Sequence, residues 1–342
     1  MKKIIILLSA LFSISIFNSC DNTLNLNTDW EETTVVYTFL DRNDSISYIK
    51  VNKAFLGNDN VMVMAGIRDS SEYQNISVTL EKYFNNKHIK TFTFEPVEVD
   101  NREDGMFYNP YQTVYAATTY NELNAVYNSD SSFQYKVKVV NNSGEEVGTT
   151  ISLVSEKMTV KKPRNTVSFY NNNISSTEFE WDTVRNGFYY IVDGEFDFLE
   201  VFKNGDTIQR TIRWNNMIIT NNNNRTGSTI SRKLPSKNFF SFLLAEVPHD
   251  DKSIEESVEK RRIGDFSLVF KIAGEDFYEY IASSASGGLN QDIPNFSNVE
   301  NGLGLITSRI THKHKFILSD AATKAPLLND LEYDHLKFKS FQ

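Results

Sequence analysis

Short runs of β-branched and aromatic residues, cut by clusters of Asn, Asp and Gly, fill the chain from Thr33 to Val154 and leave few folds open to it. Thr34 to Leu40, Ser45 to Val51, Ile76 to Phe84, Ile89 to Phe94, Thr113 to Thr118, Phe133 to Val140 and Thr149 to Val154 all suit a pleated, half-buried surface. Turn formers separate them at Asp41-Arg42-Asn43-Asp44, Asn85-Asn86 and Asn141-Asn142-Ser143-Gly144. Within Phe133 to Val139 apolar and polar side chains alternate, so one face packs inward and Lys136 and Lys138 meet water. Seven or so such runs at this spacing predict an immunoglobulin-like β-sandwich over residues 33–160.

Lys161-Lys162-Pro163-Arg164 interrupts the pattern with charge and a proline that cannot join a central ladder, and it marks the expected boundary. Residues 165–342 read as a second mainly β domain (α+β). Strands are expected at Glu178 to Trp181, Phe188 to Val192, Phe198 to Phe202, Thr207 to Trp214 and Phe266 to Ile272. Helices are expected near 236–247, with Ser236 as cap and Pro248 as stop, and near 275–284, where Phe277, Tyr278, Tyr280 and Ile281 recur at helical spacing. Ser253 to Arg262 is charged and reads as a short helix or mobile loop. Trp181 and Trp214 are expected in the core. The fold class is therefore mainly β, with a few short helices.

Lys2 and Lys3, then the apolar run Ile4 to Phe17, then Asn18-Ser19-Cys20, have the form of an export signal over residues 1–20. The run is too short to span a bilayer, which takes ~20 apolar residues. A small residue followed at once by Cys20 resembles a bacterial lipobox, in which the thiol is acylated after cleavage. Residues 21–32 are polar and Asn-rich and suit a tether. Cys20 is the only cysteine, so no disulfide supports the exported body. Its 40% hydrophobic and 13% aromatic content must supply the core instead. Formal net charge is −9, and the mature chain is more negative by the loss of Lys2 and Lys3. An acidic surface repels phosphate backbones and anionic headgroups, which excludes nucleic acid and makes the acyl chain the means of membrane attachment.

The C-terminal part carries a resemblance. The strand Phe266 to Ile272, the Glu275-Asp276-Phe277-Tyr278-Glu279-Tyr280 helix and the run Asn298-Val299-Glu300-Asn301-Gly302-Leu303-Gly304 resemble a family of uncharacterised Bacteroidota envelope lipoproteins. Its members carry an Asn-Ile/Val-x-x-Gly-Leu-Gly turn before another strand. The Val78 to Phe94 hairpin, Gly105-Met106-Phe107-Tyr108 and Tyr135 to Val139 are similar to the family's N-terminal part. Leu305-Ile306-Thr307 replaces the Phe-Gly dipeptide expected after Gly304. The resemblance implies a role near TonB-dependent outer-membrane receptors, and it singles out Asn298, Gly302 and Gly304 as a candidate functional loop.

Reactive motifs are absent from the sequence: no G-x-S-x-G, no H-E-x-x-H, no phosphate-cradling Gly-Lys-Ser/Thr loop and no dinucleotide fingerprint. Asp100 to Gly105 begins like a calcium loop, but Arg102 puts a cation at a ligand position and Tyr111 stands where a bidentate Glu is required. His312 and His314 leave the same face of a strand and hold a metal only if a third ligand reaches them. No cofactor is expected. Phe107, Tyr108 and Tyr111, clustered at a Pro-containing turn, are the candidate ligand contacts. These readings converge on a lipid-anchored outer-membrane protein, at the periplasmic face or cell surface, with a binding or accessory role. An exported glycosidase-like hydrolase using a carboxylate pair and an adhesin are the alternatives.

Overall fold

The computed structural model describes residues 33–54, 61–100, 102–105, 107–120, 122–123, 133–155, 158–170, 176–222, 227–286 and 296–340. Cys20, the export signal and the tether lie outside the described residues. The fold is mainly β. In the N-terminal half, each β-branched and aromatic run is a strand: β1 (Thr33–Asp41), β2 (Ile46–Ala54), β3 (Ser77–Phe84), β4 (Lys87–Val99), β5 (Gln112–Thr118), β6 (Phe133–Val140) and β7 (Glu146–Ile151). Along β6, Tyr135, Val137 and Val139 are fully buried, while Lys136 and Lys138 face out and share the carboxylate of Glu146 at 2.5 and 2.7 Å. β4 is longer than the expected Ile89 to Phe94. Its first part pairs with β3, and Glu95 to Val99 pair with β5, so one bent strand serves both layers of the sandwich.

The C-terminal half contains β8 (Val160–Lys162), β9 (Thr166–Val167), β10 (Ser176–Asp182), β11 (Tyr189–Phe202), β12 (Thr207–Asn221), β13 (Thr229–Pro235), β14 (Val258–Ala273) and β15 (Leu303–Leu318). Two of these, β11 and β14, arise where charge hides a strand. Phe188 to Val192 and Phe198 to Phe202 belong to one strand, because Asp193 and Glu195 between them are buried under cations. Lys271 meets Asp193 at 2.5 Å, and Lys313 and Arg213 meet Glu195 at 2.6 and 2.8 Å. The charged stretch Ser253 to Arg262 divides into a helix, Lys252–Ser257, and the start of β14. Arg261 is buried there because Glu200 and Glu255 neutralise it, at 2.8 and 2.5 Å. Ser236 precedes the helix Lys237–Glu246 but makes no side-chain cap bond; its hydroxyl lies 3.0 Å from that of Thr177. Phe239, Phe240 and Leu243 of that helix are buried as expected. Phe239 stacks on Phe169 with ring centroids 4.1 Å apart, a contact worth about 0.5–1.5 kcal/mol beyond its area. Trp181 is fully buried edge-on to Phe270, and Trp214 stacks on Phe242.

Two apolar cores result. One gathers residues from Val36 to Leu153 together with Val299 and Ile306, and the other residues from Val154 to Phe338. The sheet does not divide with them. Among the described residues a 12-stranded sheet runs through both halves, in the path β12-β11-β14-β15-β1-β2-β5-β4-β3-β6-β7, with β9 beside β15. β15 is the strand that joins them. Its first part pairs in parallel with β1, from Val35↔Leu303 to Asp41↔Arg309. The next part pairs antiparallel with β14, from Ala273↔Arg309 to Phe266↔Phe316. Ile306 therefore packs into the N-terminal core, while Ile310, four residues on, packs into the C-terminal one. Between them the Ser308 hydroxyl accepts the Val154 N–H at 2.9 Å, and the Ser308 carbonyl accepts the Gly274 N–H at 3.0 Å.

Candidate functional site

The parallel pairing of β1 with β15 places the outer faces of β11, β14, β15 and β1 side by side, and the helix Glu275–Ser286 lies across them. Two cross-strand rows make the floor. Tyr189, Ala273 and Arg309 stand in one register, and Ile191, Lys271 and Thr311 in the next. Even-numbered residues of β14, such as Phe270 and Ile272, point into the core, so Lys271 and Ala273 point out. Ala273 offers only a methyl group between a tyrosine and an arginine, and the row is dented at that point. The helix supplies the wall: Phe277 sits edge-on to Phe39 at 5.5 Å and to Tyr189 at 6.0 Å. Tyr278 packs on Phe188 at 5.1 Å, and Tyr280 meets Tyr37 at 6.3 Å. Burial, with the Tyr280 hydroxyl, pushes the Tyr37 phenol up to about 12.

What remains open is a cleft of about 370 Å³ lined by Phe39, Tyr189, Ile191, Phe277 and Ala273, with Lys271, Arg309 and Thr311 at its polar edge. Among the described residues no carboxylate lines it. The Arg309 guanidinium lies over the Phe39 ring at 6.0 Å, a geometry that attracts by about 0.5–1 kcal/mol at exposed sites. The chemistry available here is stacking on flat apolar surface together with recognition of negative charge.

The sequence-predicted residues fall elsewhere. Phe107, Tyr108 and Tyr111 lie on the turn that precedes β5, and Phe107 and Tyr111 are nearly half exposed. Arg102 covers the Phe107 ring at 5.0 Å and donates to the Tyr108 carbonyl at 3.1 Å. Tyr108 is tied by its N–H to the Ala65 carbonyl, with Arg68 over its ring. Below the turn, Glu72 accepts from the Arg68 Nε at 2.9 Å and from the Thr113 hydroxyl at 2.7 Å. The turn is thus a docked, cation-capped aromatic patch.

Asn298, Gly302 and Gly304 come together where the chain enters β15. The Asn298 amide donates to the Ile306 carbonyl at 2.7 Å and accepts the Ile306 N–H at 2.9 Å, completing a ladder rung with a side chain. A Cβ on Gly302 would meet the Thr34 carbonyl at 2.6 Å. Gly304 has φ +123°, and a Cβ there would lie 2.0 Å from the Val36 carbonyl oxygen. Glu300 also exchanges backbone hydrogen bonds with Gly148 of β7. Each residue of the run has a task in laying β15 against β1 and β7. Asn298, Asp276, Glu275 and Thr307 also border a polar hollow of about 290 Å³ between the two cores. Burial raises the Asp276 carboxyl above its ordinary range, against the opposing hydrogen bond from Asn298.

His312 and His314 do share a face. Their rings are 6.5 Å apart, between Phe270 and Phe316, and burial lowers His312, with His314 adding to the effect. Among the described residues no group of three or more His, Cys, Asp or Glu side chains could hold a metal ion. Glu200, fully buried, and the partly exposed Glu255 are both bound to Arg261. His249 and Arg210 also contact Glu200, at 2.9 and 3.1 Å, and Lys337 contacts Glu255 at 3.2 Å. The sequence reading missed the cleft residues Phe39, Tyr189, Lys271 and Arg309. Phe277 alone was marked, as part of an aromatic helix face, and the Arg309 signal was hidden by the distance in sequence between β1 and β15.

No family model matches the chain, and no curated protein matches it. Among solved structures, the C-terminal globular domain of an oligosaccharyltransferase from Pyrococcus abyssi is similar at 11% identity and a TM-score of 0.21, over 70% of this chain and 47% of that one. A β-glucuronidase from Bacteroides uniformis is similar at 9% identity and a TM-score of 0.12, over 83% of this chain and 32% of that one. The chain thus spans less than half the length of either protein, and at these TM-scores neither likeness carries an argument about fold or function.

Proposed function

We propose that the chain is a lipid-anchored protein of the cell envelope that binds a small ligand, in an accessory role beside a TonB-dependent outer-membrane transporter. The anchor is acylated Cys20, and the family resemblance supports the placement beside a receptor. The observation that carries the binding role is the open aromatic cleft under the helix Glu275–Ser286, edged by Arg309 and lined by no carboxylate. Cleavage of a glycosidic bond needs two carboxyl groups facing one substrate. Among the described residues the cleft lining supplies none, which favours binding over hydrolysis there. Among the described residues no helix is long and apolar enough to cross a membrane.

Growth on labelled palmitate tests the anchor. Label should enter the wild type and be lost with Cys20→Ala, and an unlabelled wild type refutes the anchor. Purification from native membranes tests the accessory role: a receptor should be recovered with the wild type, and recovery of none refutes that role.

A further inference from the structure

We propose that the cleft recognises a small anion with a flat apolar face, a carboxylate or sulfonate carried on an aromatic or pyranose ring, and that Arg309 reads its charge. The inference rests on the binding role proposed above and names the ligand class.

The argument begins with the cations of the sheet's outer face. Lys271 is neutralised by Asp193 at 2.5 Å, Lys313 and Arg213 by Glu195 at 2.6 and 2.8 Å, and Lys315 by Asp265 at 2.6 Å. Arg309 stands in the same field and, among the described residues, has no carboxylate within ion-pair distance; its recorded partner is the Phe39 ring. The acidic residue in register with it, Asp41, turns a carboxylate oxygen to the Asn43 N–H at 2.9 Å. Held over the Phe39 ring at the edge of the apolar cleft, this exposed guanidinium is placed to meet the negative charge of a ligand seated there. A guanidinium suits that task, since its planar donors match a carboxylate or sulfonate two bonds at a time.

The cleft's shape sets the rest of the ligand. A ring seated over Ala273 lies against the contacting pair Phe277 and Phe39, with Tyr189 at one end of its row and Arg309 at the other. One face meets the aromatic pair and its acid group meets the guanidinium. Thr311, in the next row beside Lys271, offers a hydroxyl to a second polar substituent. Among the described residues the lining carries Lys271 and Arg309 and no carboxylate, which favours an anionic ligand over a cationic one.

Isothermal titration of the full-length chain in nonionic detergent separates the sources of that chemistry. One arm uses 2-naphthoate and its neutral counterpart 2-naphthamide. The other uses a uronic-acid disaccharide and the matching neutral disaccharide. In the arm that matches the native ligand, the acid should bind at least about tenfold more tightly than its neutral partner, the ordinary worth of a charge-assisted hydrogen bond. Arg309→Gln should erase that preference, bringing acid and neutral partner to equal affinity, while Arg309→Lys should retain part of it. Ala273→Leu, which fills the dent, should abolish binding of acid and neutral alike in a protein that keeps a cooperative unfolding transition. Equal binding of acid and neutral, a preference that survives Arg309→Gln, binding that survives Ala273→Leu, or no binding in either arm each overturns the inference. None of these readouts depends on Cys20 or on a receptor, so failure of the anchor or the accessory role is seen separately.

Discussion

Replacing Gly304 by Ala tests how the two halves are held to each other. Gly304 pairs with Val36 in the parallel β1–β15 contact and has φ +123°. A Cβ there would lie 2.0 Å from the Val36 carbonyl oxygen and 2.8 and 2.9 Å from its carbonyl carbon and nitrogen. All three are backbone atoms, which no rotamer change can move aside. Two costs add. Holding a side-chain-bearing residue in that backbone region takes about 1–3 kcal/mol. Spreading a packed contact to admit a methyl takes about 1–3 kcal/mol more, giving about 2–6 kcal/mol of a total that is ordinarily 5–15 kcal/mol. Gly205→Ala isolates the first cost, because Gly205 has φ +91° in a turn and nothing within 4 Å of its would-be Cβ. Urea unfolding, followed by the fluorescence of buried Trp181 and its neighbours, should show Gly304→Ala destabilised clearly beyond Gly205→Ala. Naphthoate affinity should fall as well, since the spread displaces Phe39 from Arg309. A Gly304→Ala midpoint no lower than that of Gly205→Ala refutes the reasoning.

Arg261→Met should cost about 3–5 kcal/mol, the usual result of stranding a buried charge, and adding Glu200→Leu should recover part of it; no recovery in urea unfolding would mean that the ion cluster is not the cause. Burial alone would raise Glu255, but hydrogen bonds from Arg261 and the His249 N–H outweigh it and hold the carboxyl down to about 2. Its folded pKa is thus below its unfolded one, so its stabilisation is present above about 4.5 and is lost as pH falls toward 2, and Glu255→Gln should flatten that acid limb. His312 is likewise lowered from 6.5, by burial first and His314 second. The unfolded chain then takes up the proton first, and stability should decline as pH falls below 6.5; His312→Phe should remove that slope. Zinc should leave the melting temperature of the wild type and of His314→Ala unchanged, and a shift confined to the wild type would show that a third ligand reaches the pair.

Local pattern made the sandwich legible, because β-strand periodicity and Asn- or Gly-bearing turns are properties of neighbouring residues. The run Phe133 to Val139 announced its buried face, and Phe239, Phe240 and Leu243 announced theirs. Strands that bury charge were not legible. Asp193-Gly194-Glu195 reads as a break until Lys271, Lys313 and Arg213 arrive from other strands, and Lys260-Arg261-Arg262 reads as a loop until Glu200 and Glu255 enclose Arg261. Asn298, Gly302 and Gly304 were recognisable as a signature, but their task depends on β1, whose Val36 lies at the far end of the chain. The cleft shared that fate. Its helix face was readable from Phe277, Tyr278 and Tyr280, whereas Phe39 meets Arg309 only through the same long-range parallel pairing.

Hydrogen–deuterium exchange of the full-length chain, with and without saturating 2-naphthoate, distinguishes the structural cleft from the aromatic turn most directly. The cleft predicts slowed exchange in peptides covering 37–41, 189–191, 271–277 and 309–311, with no change at 107–111. Protection confined to 107–111, with the β1, β14 and β15 peptides exchanging as before, would contradict it.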